Sequence, residues 1–304
     1  MARRSPQTER LVEMVEFLAD RTGAFRLADL ARLVDADKAT CLPMLAELTR
    51  VGWLVKDPRK RTYRLGPKLV GIGAAAAHSL EIAEAARPEL VALSEEMDCA
   101  TGMLMPSGDD LIIAEWINHR ERAAPMDLGP GDRVAFQPPI GAILVAWSNF
   151  YQQNVWLNRD PVVAADPSTY LARLDALRES RFAVEQYPVS PTVMRPDSSR
   201  ADTEFYGERR AAWLSDAMRR TPLDDMLVTT IVEARYYEIL GVSAAVFDAA
   251  GSPVGTVGIA DPAKPVLGAE LHAIGERVAL AAEKVTEHIG GQLAWKVSKP
   301  RCSG

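Results

Sequence analysis

Residues 26–66, RLADLARLVDADKATCLPMLAELTRVGWLVKDPRKRTYRLG, restrict the fold more than any other stretch of this 304-residue chain. Leu27, Leu30, Ala31 and Val34 recur at helical spacing and share one face of a short helix. DADK then supplies a turn and an N-cap, Asp37, for a second helix. The core positions of that helix are Cys41, Met44 or Leu45, and Leu48, and Gly52 ends it as a C-cap. WLVKD and TYRLG are short alternating strands joined by the basic tip PRKR. Upstream, Leu11, Met14, Val15 and Leu18 predict a helix over about 8–21, closed before Gly23. Three helices followed by a basic-tipped hairpin form a winged helix-turn-helix pattern, and the segment from Asp37 occupies the place of a DNA-reading helix.

The content of that helix is unusual. With Cys41, Leu45 and Leu48 inward, its outward face is Ala39, Thr40, Leu42, Pro43, Ala46, Glu47 and Arg50. Direct readout needs donors and acceptors aimed at base edges, and only Thr40 offers them in the middle of this face. Leu42 and Pro43 can touch thymine methyls and nothing polar. Lys38, Arg50, Lys56, Arg59, Lys60 and Arg61 remain for phosphates or, from the wing, for the minor groove. Pro43 has two readings. If Asp37 is the cap, Pro43 lies six residues in, loses the bond to the Ala39 carbonyl and bends the helix. If Thr40 is the cap, Pro43 falls in the first turn, where a donor is dispensable. The core register favours a start at Lys38.

Charge is distributed unevenly. Residues 1–70 carry 14 Lys+Arg against 9 Asp+Glu, a net of +5, within a chain of net charge -6. A basic head on an acidic body points to an anionic partner for the head alone. Three cysteines (Cys41, Cys99, Cys302) have no paired spacing, so neither a zinc site nor a disulfide framework follows. No signal peptide and no run of about 18 apolar residues is present, which predicts a cytoplasmic protein without a membrane partner.

Beyond the head, PKLVGIGAAAAHSL reads as a helix rich in small residues, and Pro88 in EAARPELVALSEEMD suits the first turn of a new one. Strands are expected at 100–105, 111–117 and in MDLGPGDRVAF. PPIGAILVAWS reads as a helix opened by prolines, 168–180 as an amphipathic helix and FAVEQYPV as a strand. Residues 190–202 read as a loop and 203–220 as a helix. YYEILGVSAAVFD-AAG-SPVGTVGIAD is a hairpin of two apolar strands, and 267–290 a closing helix. The fold class is α+β, with an antiparallel sheet flanked by helices.

Enzyme chemistry finds little purchase. His78, His119, His272 and His288 have no ligand partner three or four residues away. GIG at 71–73 lacks the dinucleotide-binding context, and neither a nucleophile elbow nor a phosphate-binding loop occurs. Cys99 fits a core position and GDD at 108–110 a solvated turn. No cofactor is expected, and the chain does not read as an enzyme.

The order of these pieces resembles the IclR family of bacterial transcriptional regulators. In the head the resemblance rests on LADLARLVDADKAT, LAELTRVGWLVKD and TYRLGPKLVGIG. In the body it rests on ARPELVALSEEMDCATGMLM, LGPGDRVAF with Gly141 downstream, and GVSAAVFDAAGSPVGTVGIADP. It implies a winged helix-turn-helix domain over 1–66, a linker helix over 67–86, an effector-binding domain over 87–292 and a tail over 293–304. It also implies a homodimer, often paired into a tetramer, on double-stranded operator DNA, controlled by a small organic effector. At Leu42 the family usually carries histidine or tyrosine, and at Pro43 often arginine, so weak base-specific readout is expected here. Carried over by position, the effector candidates are Met103, Met105, Trp116, Phe136, Gln137, Ile140, Gly141, Ser243 and Gly258, facing one sheet surface. Glycine at 258 and alanine at 245 and 260 leave room for an apolar or aromatic acid or an ester-like effector. The alternative is a ligand-sensing or dimerisation protein that has lost specific DNA binding.

Overall fold

A computed structural model describes residues 5–19, 21, 23–78, 81–118, 128–187, 226–262 and 264–296. The chain divides into two compact units, residues 1–79 and 80–304. The loop expected at 190–202, the helix expected at 203–220, His119 and Cys302 lie outside the described residues.

The first unit runs α1 (Pro6–Ala19), β1 (Phe25–Arg26), α2 (Leu27–Leu33), α3 (Lys38–Arg50), β2 (Leu54–Lys56), β3 (Thr62–Leu65) and α4 (Lys68–His78). Asp37 caps α3, its carboxylate accepting from the Thr40 N–H at 2.6 Å. That bond holds the Asp37 carboxyl below its ordinary range, so the cap is ionised at neutral pH. Helix α3 therefore starts at Lys38 and carries Pro43 in its interior. At the other end Gly52 has φ +83°. Trp53 N–H reaches the Leu48 carbonyl at 2.9 Å and Gly52 N–H the Thr49 carbonyl at 3.1 Å, the paired closure that a left-handed residue permits. Helix α2 ends the same way with Asp35 at φ 45°, Ala36 N–H meeting the Ala31 carbonyl at 3.0 Å. Met14, Leu30, Cys41, Leu45, Leu48, Leu54 and Tyr63 form the core. Burial there pushes the Cys41 thiol pKa up, which keeps it a protonated packing residue. The pair β1–β3 adds an edge to the wing hairpin, giving the sheet order β1-β3-β2.

The second unit begins with α5 (Glu81–Met97), β4 (Ala100–Ser107), β5 (Asp110–Ile117) and β6 (Arg133–Ala135). It continues with α6 (Ala142–Ala146), α7 (Phe150–Leu157), α8 (Pro161–Ala165) and α9 (Pro167–Ser180). Then come β7 (Ala183–Gln186), β8 (Leu227–Val228), β9 (Tyr236–Tyr237), β10 (Ile239–Phe247), β11 (Pro253–Ala260), β12 (Val266–Leu267) and α10 (Gly268–His288). Seven strands form one antiparallel sheet in the order β6-β5-β4-β11-β10-β7-β8. Strand alternation gives each face its own core. One face, with Met103, Val184, Val242, Val246, Val257 and Ile259, packs on Ala86, Leu90 and Leu93 of α5 and Val278, Ala282 and Val285 of α10. The other, with Leu111, Ala183, Ala245 and Phe247, packs on α6 to α9 through Ile143, Trp156, Tyr170 and Leu174.

Three expectations change. Pro88 does not open a helix but sits inside α5, because Ile82, Ala83, Ala85 and Ala86 ahead of it are buried and hold the helix together across the missing bond. Pro138 and Pro139 form a cis bond in a loop, and α6 starts only after Gly141, whose φ is +81°. Leu293 and Trp295, assigned to a tail, are packed instead: Leu293 is buried, and the Trp295 ring lies 5.4 Å from Trp147 and 5.5 Å from Phe247. No helix among the described residues is long and apolar enough to cross a membrane.

Candidate nucleic-acid interface and effector floor

In the first unit the outward face of α3 is formed as the periodicity requires. Lys38, Ala39, Leu42, Pro43, Ala46, Glu47 and Arg50 are exposed and Thr40 is half-buried, while Cys41, Leu45 and Leu48 point inward. Leu42 is 46% exposed, an apolar side chain in the middle of the surface. Arg50 is already engaged: its Nε donates to Glu47 Oε2 at 2.8 Å and its Nη2 to Oε1 at 2.5 Å. This bidentate contact lowers the Glu47 carboxyl and raises the Arg50 guanidinium relative to their ordinary values, so both charges persist at every ordinary pH. The pair leaves the arginine half-committed on a face already short of polar groups.

The wing tip is built by Asp57. Its Oδ1 accepts from the Arg59 N–H at 2.8 Å and the Lys60 N–H at 2.9 Å. The Lys60 and Arg59 N–H groups hold its carboxyl below the usual range. Arg61 N–H reaches the Asp57 carbonyl at 2.9 Å, and Asp57 N–H the Thr62 carbonyl at 2.8 Å. Arg61 closes the loop in a left-handed conformation at φ 54°, a shape that favours glycine or asparagine. The result is a compact loop exposing Arg59, Lys60 and Arg61 together. Lys56, one strand residue back, holds its ammonium 5.4 Å from the Tyr63 ring.

In the second unit the sequence candidates divide. Ser243 pairs with Gly258, and Gly258 with Gly102. Gly102 pairs with Trp116, whose ring stands over it: a Cβ on Gly102 would lie 2.4 Å from that ring. On the other side Ser243 pairs with Ala183. Ser243, Gly258 and Trp116 thus lie on one row across five strands, floored by small residues. Met103 and Met105 do not join them. Alternation turns both away from Gly102 and Leu104, into the core under α5 and α10, where Met103 is wholly buried.

Phe136, Gln137, Ile140 and Gly141 belong to the loop before α6. Gly141 is required there, since a Cβ would fall 2.5 Å from the Phe136 ring. Arg159 holds this loop: Nη1 donates to the Phe136 carbonyl at 2.6 Å and Nη2 to Asp109 at 2.7 Å, and the guanidinium lies 5.1 Å from the Phe136 ring centre. The Trp156 Nε1 donates to the Ile140 carbonyl at 3.1 Å. Ile140 packs with Met226, Leu240 and Tyr187, beside the Gly241 end of the floor. Gln137 is half-buried.

Sequence reasoning missed Glu185. It lies on β7 opposite Gly241 of β10, is 7% exposed, and its Oε2 is 3.5 Å from where a Cβ of Gly241 would stand. Burial alone raises its carboxyl to about 8. The available signal was an acidic residue in the otherwise apolar strand FAVEQ, which by itself reads as a solvated edge.

Residues 7–58 match the family model of the IclR helix-turn-helix domain. The HTH-type transcriptional regulator XynR of Escherichia coli (strain K12) is 24% identical over 176 residues, covering 57% of this chain and 70% of that protein. The IclR transcriptional regulator of Alicyclobacillus acidocaldarius has the same fold with a TM-score of 0.67 at 17% identity, over 95% of this chain and all of that one. An IclR homolog from Microbacterium hydrocarbonoxydans, solved in complex with 4-hydroxybenzoate, superposes with a TM-score of 0.61 at 15% identity, over 93% of this chain and 98% of that one. Residues 7–58 thus carry an IclR helix-turn-helix domain, and the chain with its sheet-and-helix body shares the fold of solved IclR transcriptional regulators.

Proposed function

We propose that this regulator grips double-stranded DNA chiefly through phosphates, the wing and duplex shape, with little base-edge readout. The observation that carries this reading is the outward face of α3, where Leu42 is exposed, Pro43 has no donor and Arg50 is paired with Glu47. Lys38, Thr40, Lys56, Arg59, Lys60 and Arg61 are the remaining contact residues, and Arg50 joins them when Glu47 releases it. A homodimer, paired in turn into a tetramer, is the assembly that suits a near-palindromic operator. Val70 at 75% exposure and Ile72 at 41% on α4 supply apolar surface for a second copy. The work is done in the cytoplasm, without a cofactor.

The effector is a small aromatic acid, held on the floor of Gly258 and Ser243 between Trp116 and the Phe136–Gly141 loop. The apolar floor supports this, as does the 4-hydroxybenzoate bound by the Microbacterium homolog. A heparin or DNA column at low salt tests the DNA-binding half. Elution in the void volume sinks it and leaves a sensing and dimerisation protein. A thermal-shift screen of aromatic acids, sugar acids and acyl compounds tests the effector half, and stabilisation by sugar acids alone sinks that. Genome-wide mapping of bound DNA then identifies the regulated genes.

A further inference from the structure

The carboxyl of Glu185 lies against the backbone of Gly241, over the end of a floor that has almost no side chains of its own. The neighbouring row runs Trp116, Gly102, Gly258, Ser243 and Ala183, so along that row the Ser243 hydroxyl is the one polar side-chain group between Trp116 and β7. Glu185 is more than nine-tenths buried. Among the described residues no hydrogen bond and no ion pair reaches its carboxyl, and Arg173 of α9 is turned to the carbonyl of Leu227, the residue paired with Glu185 on β8, at 3.4 Å. A buried polar group without a partner costs on the order of 1–3 kcal/mol. Strand β7 could carry an apolar residue at this position, as it does at Ala183 and Val184, so an unpartnered acid beside a row of glycine, serine and alanine points to a partner that arrives from outside.

We propose that Glu185 is the specificity-determining residue of the effector floor, receiving a hydroxyl group of an otherwise apolar, aromatic effector. This rests on the reading of the floor as the effector site. A phenolic hydroxyl both donates and accepts, as a protonated carboxyl does, and burial keeps Glu185 protonated at neutral pH. An effector's own carboxylate is the wrong group at this end. It cannot donate, and it would place a second negative charge beside the acid wherever Glu185 ionises. The acid end of an aromatic acid therefore points away from β7, and the hydroxyl toward it. A site built around a hydroxyl discriminates against the analogue that lacks it, because the protein group is then left buried and unpaired.

The test is calorimetric titration of the full chain at pH 7 with 4-hydroxybenzoate, benzoate, phenol and benzylamine. Wild type, Glu185→Gln, Glu185→Leu and Ser243→Leu are compared, each checked for native circular dichroism. The wild type should bind 4-hydroxybenzoate at least about tenfold more tightly than benzoate. That preference should fall below about threefold in Glu185→Leu, and Glu185→Gln, which still hydrogen-bonds a hydroxyl and so controls for folding, should keep part of it. Ser243→Leu, which fills the floor, should abolish binding of both. Equal affinity for the two acids, a preference that survives Glu185→Leu, or tighter binding of benzylamine than of phenol overturns the inference and leaves the effector floor standing. Binding of none of the four, or binding untouched by Ser243→Leu, overturns the effector floor itself, and the inference with it.

Discussion

Arg50 and Glu47 are bound to each other on the outward face of α3, Nε to Oε2 at 2.8 Å, one turn apart. The guanidinium on the outward face of α3 is therefore already shared with a carboxylate. Glu47→Gln removes the competing charge and frees Arg50 for a phosphate. Affinity for random duplex near 0.1 M salt should rise roughly threefold to tenfold, with the salt slope steeper by about 0.9. Fluorescence anisotropy at several salt concentrations measures both. An unchanged slope would place Arg50 away from the backbone.

Pro43 costs α3 the hydrogen bond to the Ala39 carbonyl, six residues inside a helix capped at Asp37. Pro43→Ala restores the donor and should stabilise the protein by about 1–3 kcal/mol in urea unfolding. A loss of stability would show that the helix is fitted around the ring.

Asp35 closes α2 at φ 45°, where a β-branched side chain meets its own carbonyl. Asp35→Val should destabilise by about 1–2 kcal/mol, while Asp35→Gly should stay within about 0.5 kcal/mol of wild type, its relaxed geometry offset by a more flexible unfolded chain. Thermal unfolding of the two variants separates backbone strain from loss of the carboxylate.

Arg159 holds the Phe136–Gly141 loop through the Phe136 carbonyl at 2.6 Å. Arg159→Met keeps the stem and deletes the donors. Leaving that carbonyl without its partner should cost about 1–3 kcal/mol and weaken stabilisation by any effector that stabilises the wild type. If stability falls but the effector response is intact, the loop plays no part in binding.

Glu185 makes stability depend on pH in a defined direction. Its carboxyl is raised to about 8 in the fold, from an ordinary value of 4.5. The folded chain keeps a proton that the unfolded chain releases, so this residue's contribution falls as pH rises from about 4.5 to about 8. Glu185→Gln has no such dependence. Relative to wild type it should gain stability between pH 5 and pH 8.5, measured by urea unfolding at both. A constant difference would mean the acid is not held protonated.

The legible parts of this protein were the local ones. The cap at Asp37, the closure at Gly52 and the inward register of Cys41, Leu45 and Leu48 depend on residues within one or two turns of each other. The paired strands around AAG could be read for the same reason. The proposed effector floor could not, because its geometry is a matter of register between distant strands. Met103 and Met105 look no different in sequence from Leu104, and only the pairing of β4 with β11 shows which of them faces Gly258. The same holds for Glu185, whose strand partner Gly241 stands 56 positions along the chain yet directly across the ladder. Pro88 misled in the opposite way: the buried residues Ile82 to Ala86 outweigh a local breaker.

The central claim is that this head holds DNA firmly and reads it bluntly. Anisotropy titrations of the full chain against duplex from its own upstream region and against scrambled duplex, at two salt concentrations, measure this directly. The account predicts a specific-to-random affinity ratio below about 10², with both affinities falling steeply as salt rises. A ratio above about 10³, retained at the higher salt, would contradict it.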